Sequence, residues 1–123
     1  EDTLTDRSMR SIAAEMVREK VLRFTGEELP FVTAVVTEHW EESAKEANIN
    51  CAIYVERDSQ RAIIIGRAGQ KIKQIGSAAR KDIENLLGKK IFLSLFVKVK
   101  ENWRNDERVL DELGLEGVSH ESS

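Results

Sequence analysis

Apolar side chains between positions 6 and 25 fall at Met9, Ile12, Ala13, Met16, Val17, Val21 and Phe24. Gaps of three and four residues place them on one side of a helix. Thr5 or Asp6 can cap its start, and Thr25-Gly26 followed by Pro30 can end it. The period then shortens. FVTAVVTEHW (31–40) is dense in β-branched residues and reads as a strand. EESAKEAN (41–48) reads as a polar connection. INCAIYVER (49–57) alternates, with Ile49, Cys51, Ile53 and Val55 on one face and Asn50, Ala52, Tyr54 and Glu56 on the other. The two strands are expected to pair antiparallel.

After Gly69 the helical period returns. Ile72, Ile75, Gly76, Ala79, Ile83, Leu86 and Leu87 form a long stripe that stops at Gly88, and Lys71, Lys73, Gln74, Arg80 and Lys81 fall largely off it. KIFLSLFVKVK (90–100) alternates again, and ENWRNDERVLDELGL is expected to close with a short helix capped by Asn105 or Asp106. RAIII (61–65) fits a strand by propensity and a short buried helix by length. Three strands and two long amphipathic helices can close one two-layer α+β domain. That domain is expected to occupy residues 1–113, with a flexible acidic tail over 114–123.

Composition agrees. The chain has 123 residues, 41% hydrophobic and 33% charged, enough for one folded domain with a core. No apolar run approaches the ~20 residues that cross a bilayer, and no signal-peptide pattern is visible. Cys51 is the only cysteine, which excludes an internal disulfide and fits a reducing cytoplasm. A first residue other than methionine reads as a piece of something longer. The net charge of −3 is unevenly placed. Six basic residues and no acidic one lie between Arg61 and Lys81, whereas six acidic and one basic lie from Asp106 to the end.

The basic segment holds Gly66-Arg67-Ala68-Gly69, which cuts an apolar run just before a helix. The plainest explanation is a tight turn, with glycine where other residues avoid the backbone angle. No G-x-x-x-x-G-K-[ST] or G-x-G-x-x-G pattern is present, so nucleotide-binding loops fit poorly. A second explanation uses the context. Glycines at a helix start let backbone approach a phosphodiester. Ile64, Ile65, Ile72 and Ile75 could floor a groove for bases, and Lys71 and Lys73 would neutralise phosphates.

IIIGRAGQKIKQIG resembles the signature of a KH domain, whose G-x-x-G loop clamps about four nucleotides. The element order resembles the type II arrangement, α-β-β-α-α-β, in which RAIII becomes a short helix. TDRSMRSIAAEMVREKVLRFTGEELP, YVERDSQRAIIIGRAG and KKIFLSLFVKVKENWRND are similar to the C-terminal domain of the Era family of ribosome-assembly GTPases, over residues 3 to 114. One departure is Ala68, where glycine is frequent; the G-x-x-G spacing is kept. The resemblance implies RNA binding by Ile64, Ile65, Gly66, Arg67, Ala68, Gly69, Gln70, Lys71, Ile72, Lys73, Ile75 and Arg80. The implied ligand is the single-stranded 3′ end of small-subunit ribosomal RNA, met during assembly of the small ribosomal subunit. It also implies an N-terminal GTPase domain holding GTP and magnesium, absent from this chain, and peripheral association with the inner membrane of a cytoplasmic protein. The fragment itself is then no enzyme and needs no cofactor.

Other residues carry weaker signals. His39 and His120 are too isolated for a metal site, and Cys51 sits on an apolar strand face without a base partner. Glu38, Glu41, Glu42 and Glu46 read as a solvated surface. Trp40 and Trp103 read as packing residues, with Trp103 and Arg104 also candidates for the rim of an RNA surface. Lys98 and Lys100 could extend the basic surface. The rival function is a protein-docking domain, in which the glycine loop is only a turn and the first helix and acidic tail carry the interface.

Overall fold

The computed structural model describes residues 2–26 and 33–112. Pro30, the first two residues of the expected first strand and the expected tail over 114–123 lie outside them. Helix α1 (Asp2–Thr25) starts upstream of the expected caps and buries Ala13, Val17 and Val21. It stops where Gly26 turns to φ +91° and donates its N–H to the Leu22 carbonyl.

Strands β1 (Ala34–Glu42) and β2 (Glu46–Val55) pair antiparallel, from Ala34 opposite Tyr54 to Glu42 opposite Ala47. Much of the segment expected as a polar connection is therefore strand, and the turn shrinks to Ser43–Lys45. Ser43 closes it, its N–H donating to the Glu46 carbonyl at 2.8 Å. Polar residues suit these positions because Glu41, Glu42 and Glu46 are solvent-exposed. A register shift between Thr37 and His39 bulges β1 at Glu38.

Helix α2 (Asp58–Ile65), a 3₁₀ turn (Arg67–Gly69) and helix α3 (Gln70–Leu87) carry the chain back across one face of the sheet. RAIII is helical, as the KH resemblance implied. Helix α3 ends at Gly88, which takes a left-handed conformation and donates to the Glu84 carbonyl. Because the helical crossover returns the chain to the starting end of β2, strand β3 (Lys90–Val99) runs parallel to β2. The strand order is β1-β2-β3.

The main core lies between sheet and helices, where Ile49, Cys51, Ile53 and Val55 meet Val17, Val21, Ile64, Ile75, Ala79 and Ile83. Lys20 locks α1 to α3. Its ammonium, almost fully buried, reaches Asp82 at 2.6 Å and Glu19 at 2.9 Å, and these hydrogen bonds raise its pKa. The opposite sheet face is not simply solvated. A 3₁₀ turn (Trp103–Asn105) and helix α4 (Glu107–Glu112) fold under it, and Trp103 and Val109 cover Ala34, Val36, Ala52 and Tyr54. Ala52 and Tyr54 of β2, expected on the outer face, thus belong to a second small core. Asp106 is the cap of α4, accepting from Arg108 N–H at 2.9 Å.

Cys51 has no exposed surface, and burial pushes its thiol up to about 11. Its thiolate is therefore scarce near neutral pH. A thiol-specific label at pH 8 is expected to modify Cys51 only after denaturation, read by mass spectrometry with and without urea. Rapid labelling of the native chain would contradict the packing described.

Candidate nucleic-acid interface

Three consecutive isoleucines end α2, and a helix points each about 100° from the last. Only Ile64 enters the core, with no exposed surface; Ile63 is 43% exposed and Ile65 is half-buried. The start of α2 is held by Gln60, whose side-chain oxygen accepts from the N–H groups of Glu56 and Arg57 at 2.9 and 3.0 Å. The helix stops at Gly66, whose N–H donates to the Ala62 carbonyl at 2.9 Å.

Gly66 adopts φ 77°, ψ 178°, a conformation open almost only to glycine. The fold also leaves no room there. A β-carbon at Gly66 would lie 2.5 Å from Lys71 Cβ and 3.0 Å from the Lys71 backbone nitrogen. The chain then turns left-handed at Ala68 (φ 54°, ψ 27°) and Gly69 (φ 74°, ψ 13°), and Gly69 N–H returns to the Gly66 carbonyl at 3.2 Å. Nothing crowds Gly69 within 4 Å, so only its backbone angle favours glycine.

The turn stands out from the surface, with Arg67 and Ala68 exposed. Among the described residues, the N–H groups of Arg67 and Ala68 find no hydrogen-bond acceptor. They sit at the head of α3, where the helix dipole adds partial positive charge. Solvated donors of this kind suit an anion.

The side-chain charges reinforce this. Among the described residues, Arg61, Arg67, Lys71, Lys73 and Lys81 form no ion pair with a carboxylate. Arg80 does, reaching Glu84 at 3.0 Å. Glu84 also accepts from Ile91 N–H, and that backbone bond chiefly holds its carboxyl below the usual range. Lys98 and Lys100, expected to extend the basic surface, are compensated instead, by Glu38 at 3.0 Å and Asp106 at 3.0 Å.

Of the residues expected to meet RNA, Arg67, Ala68, Gln70 and Lys73 are exposed, and Ile65, Gly66, Gly69, Lys71, Ile72 and Arg80 are half-buried. Ile64 and Ile75 correct the expectation. Both have no exposed surface and pack in the core, so neither can floor a groove for bases. Gln74, Ser77, Lys81 and Phe24, which were not expected to meet RNA, gather with Gln70 and Lys73 beside the loop. Together these residues of α3, with Phe24 of α1, line a surface depression of about 610 Å³. The i, i+3, i+4 spacing on α3 was visible in the sequence; the approach of Phe24 was not.

A family model for the KH domain matches residues 28–104. The chain belongs to the KH domain family. The two-layer α+β architecture with its mixed three-stranded sheet is the type II form of that fold. GTPase Era of Bordetella avium is 51% identical over 116 residues, covering 94% of this chain and 39% of the relative. GTPase Era of Geobacter metallireducens is 52% identical over 116 residues, covering 93% and 39%. The chain thus spans about two fifths of the length of these relatives and corresponds to their C-terminal KH portion. A crystal structure of Era in complex with MgGDPNP and nucleotides 1506–1542 of 16S ribosomal RNA superposes with a TM-score of 0.79 at 36% identity, covering 87% of this chain and 36% of that one. Aquifex aeolicus Era bound to GDP and aluminium fluoride gives 0.78 at 37% identity, covering 86% and 36%.

Proposed function

We propose that this KH domain binds the single-stranded 3′ end of small-subunit ribosomal RNA through the Gly66–Gly69 turn, as the RNA-binding part of a larger assembly GTPase. The single observation that carries this reading is the pair of unoccupied backbone donors at Arg67 and Ala68, set at the head of α3. The uncompensated cations beside them fit a polyanion, since each phosphate contact releases counterions. The Era complex with 16S rRNA supports the ligand class. A G-x-x-G loop clamps about four nucleotides, so a segment as long as the nucleotides 1506–1542 of that complex extends beyond it. Nucleotide hydrolysis, with GTP and magnesium, belongs in this reading to the part of the protein outside the chain, and the chain itself is not catalytic. The reading places the protein in the cytoplasm, where small subunits assemble. Inner-membrane contact would be peripheral: among the described residues no helix is long and apolar enough to cross a membrane.

The test is the double substitution Arg67→Asp, Ala68→Asp. Both positions are exposed, and Asp tolerates the left-handed conformation at 68, so stability is expected to change by only about ±0.5 kcal/mol. Two like charges at ~4 Å in an effective dielectric of ~20 repel by about 4 kcal/mol as an upper guide. A third of that already costs about tenfold in affinity. Loss of the Arg67 charge is also expected to flatten the salt dependence by about 0.7 in log–log slope. A labelled 3′-end RNA titrated at two salt concentrations, with melting curves alongside, reads all three. Unchanged RNA binding by a folded double variant would reduce the loop to a turn and favour the docking reading.

A further inference from the structure

The depression between α1 and α3 is a distinct feature from the turn. Its α3 residues Gln70, Lys73, Gln74, Ser77 and Lys81 lie on the side of the helix turned away from the buried stripe of Ile75, Ala79 and Ile83. Among the described residues, no carboxylate lines it. Its two lysines carry no ion pair among the described residues and stand eight residues apart, about 12 Å along the helix axis. At its rim Gln70 directly follows Gly69, so the depression is continuous with the turn. Phe24, half-buried at the end of α1, supplies an aromatic surface at the opposite wall.

Cations that track a backbone, with an aromatic ring beside them, are what a single strand meets on proteins that hold it without duplex. We propose that this depression is a second RNA contact, carrying the nucleotides that run on from those held at the Gly66–Gly69 turn. Lys73 and Lys81 meet successive stretches of phosphate, Gln70, Gln74 and Ser77 supply hydrogen bonds, and Phe24 stacks a base. The inference rests on the RNA-binding reading above. Uncompensated charge and direct continuity with the turn favour RNA as the occupant over an apolar protein segment.

The test is a length series of single-stranded RNAs of four, eight and twelve nucleotides from the 3′ end of small-subunit rRNA, titrated against the full chain. Wild type is expected to gain about tenfold or more in affinity from four to twelve nucleotides. Lys81→Glu is expected to lose about tenfold on the twelve-nucleotide strand, with a shallower salt slope, and to stay near wild type on the four-nucleotide one. Lys81→Ala, which only removes charge, is expected to show a smaller loss of the same length dependence. Phe24→Leu, which keeps an apolar side chain in the core contact, is expected to lose severalfold on the long strand alone. The Arg67→Asp, Ala68→Asp variant weakens every length. Wild-type affinity that does not rise with length, or Lys81 variants that match wild type on every strand, would overturn the second contact while leaving the turn. Failure of the wild-type chain to bind any of the strands would overturn the RNA-binding reading and this inference with it.

Discussion

Replacing Gly66 by alanine is expected to cost about 3 kcal/mol of stability, a fall of about 10 °C in melting temperature for a domain of this size. Two causes add. The backbone stands at φ 77°, ψ 178°, where a residue with a β-carbon is strained by about 1–3 kcal/mol. The new β-carbon also meets Lys71 Cβ at 2.5 Å. That atom cannot swing away like the end of a flexible side chain, because it is bonded directly to the backbone of α3. Relief requires the turn to open or the helix start to shift, and either moves the free amides of Arg67 and Ala68. RNA affinity is therefore expected to fall with stability. Gly69→Ala is the control. Its angle is left-handed but its surroundings are open within 4 Å, so it is expected to cost only about 1–2 kcal/mol. Equal melting temperatures for the two variants would show that backbone angle alone, not close approach, demands glycine at 66.

Ile75→Ala is expected to destabilise the domain by about 2–5 kcal/mol, the usual cost of a cavity at a fully enclosed isoleucine. Ile75 sits one turn beyond the start of α3, next to the candidate interface in sequence, yet packs in the core with Ile64, Ala79 and Ile83. The contrast is Ile63→Ala. Ile63 is 43% exposed, and its loss is expected to change stability by no more than about 0.5 kcal/mol. Chemical denaturation of the two variants decides between the roles. An Ile75→Ala chain with wild-type stability and weakened RNA binding would return Ile75 to the ligand and contradict its burial.

These expectations separate what each level of structure makes visible. Helix α3 was legible because its stripe repeats over five turns and ends at a glycine, and both features are local. The alternation of β2 was legible for the same reason. The turn at Ser43–Lys45 was not, because pairing with a neighbouring strand extends β1 and β2 through polar residues that no apolar period marks. The second small core was hidden too. Nothing local to Ala52 and Tyr54 says that Trp103, some fifty residues later, folds beneath them.

The sequence by itself determined the type of fold, the place of the glycine turn and the run of positive charge around it. Each depends on residue identity and spacing along a few adjacent turns. Only the tertiary structure decided which of Ile63, Ile64 and Ile65 enters the core, since the three are chemically identical and differ only in what faces them. It also decided which cations stay uncompensated. Lys98 finds Glu38 across 60 residues of chain and Lys100 finds Asp106, while Lys73 and Lys81 meet no carboxylate among the described residues. Coulomb energy depends on distance in space, and that distance does not exist until the sheet and helices have packed.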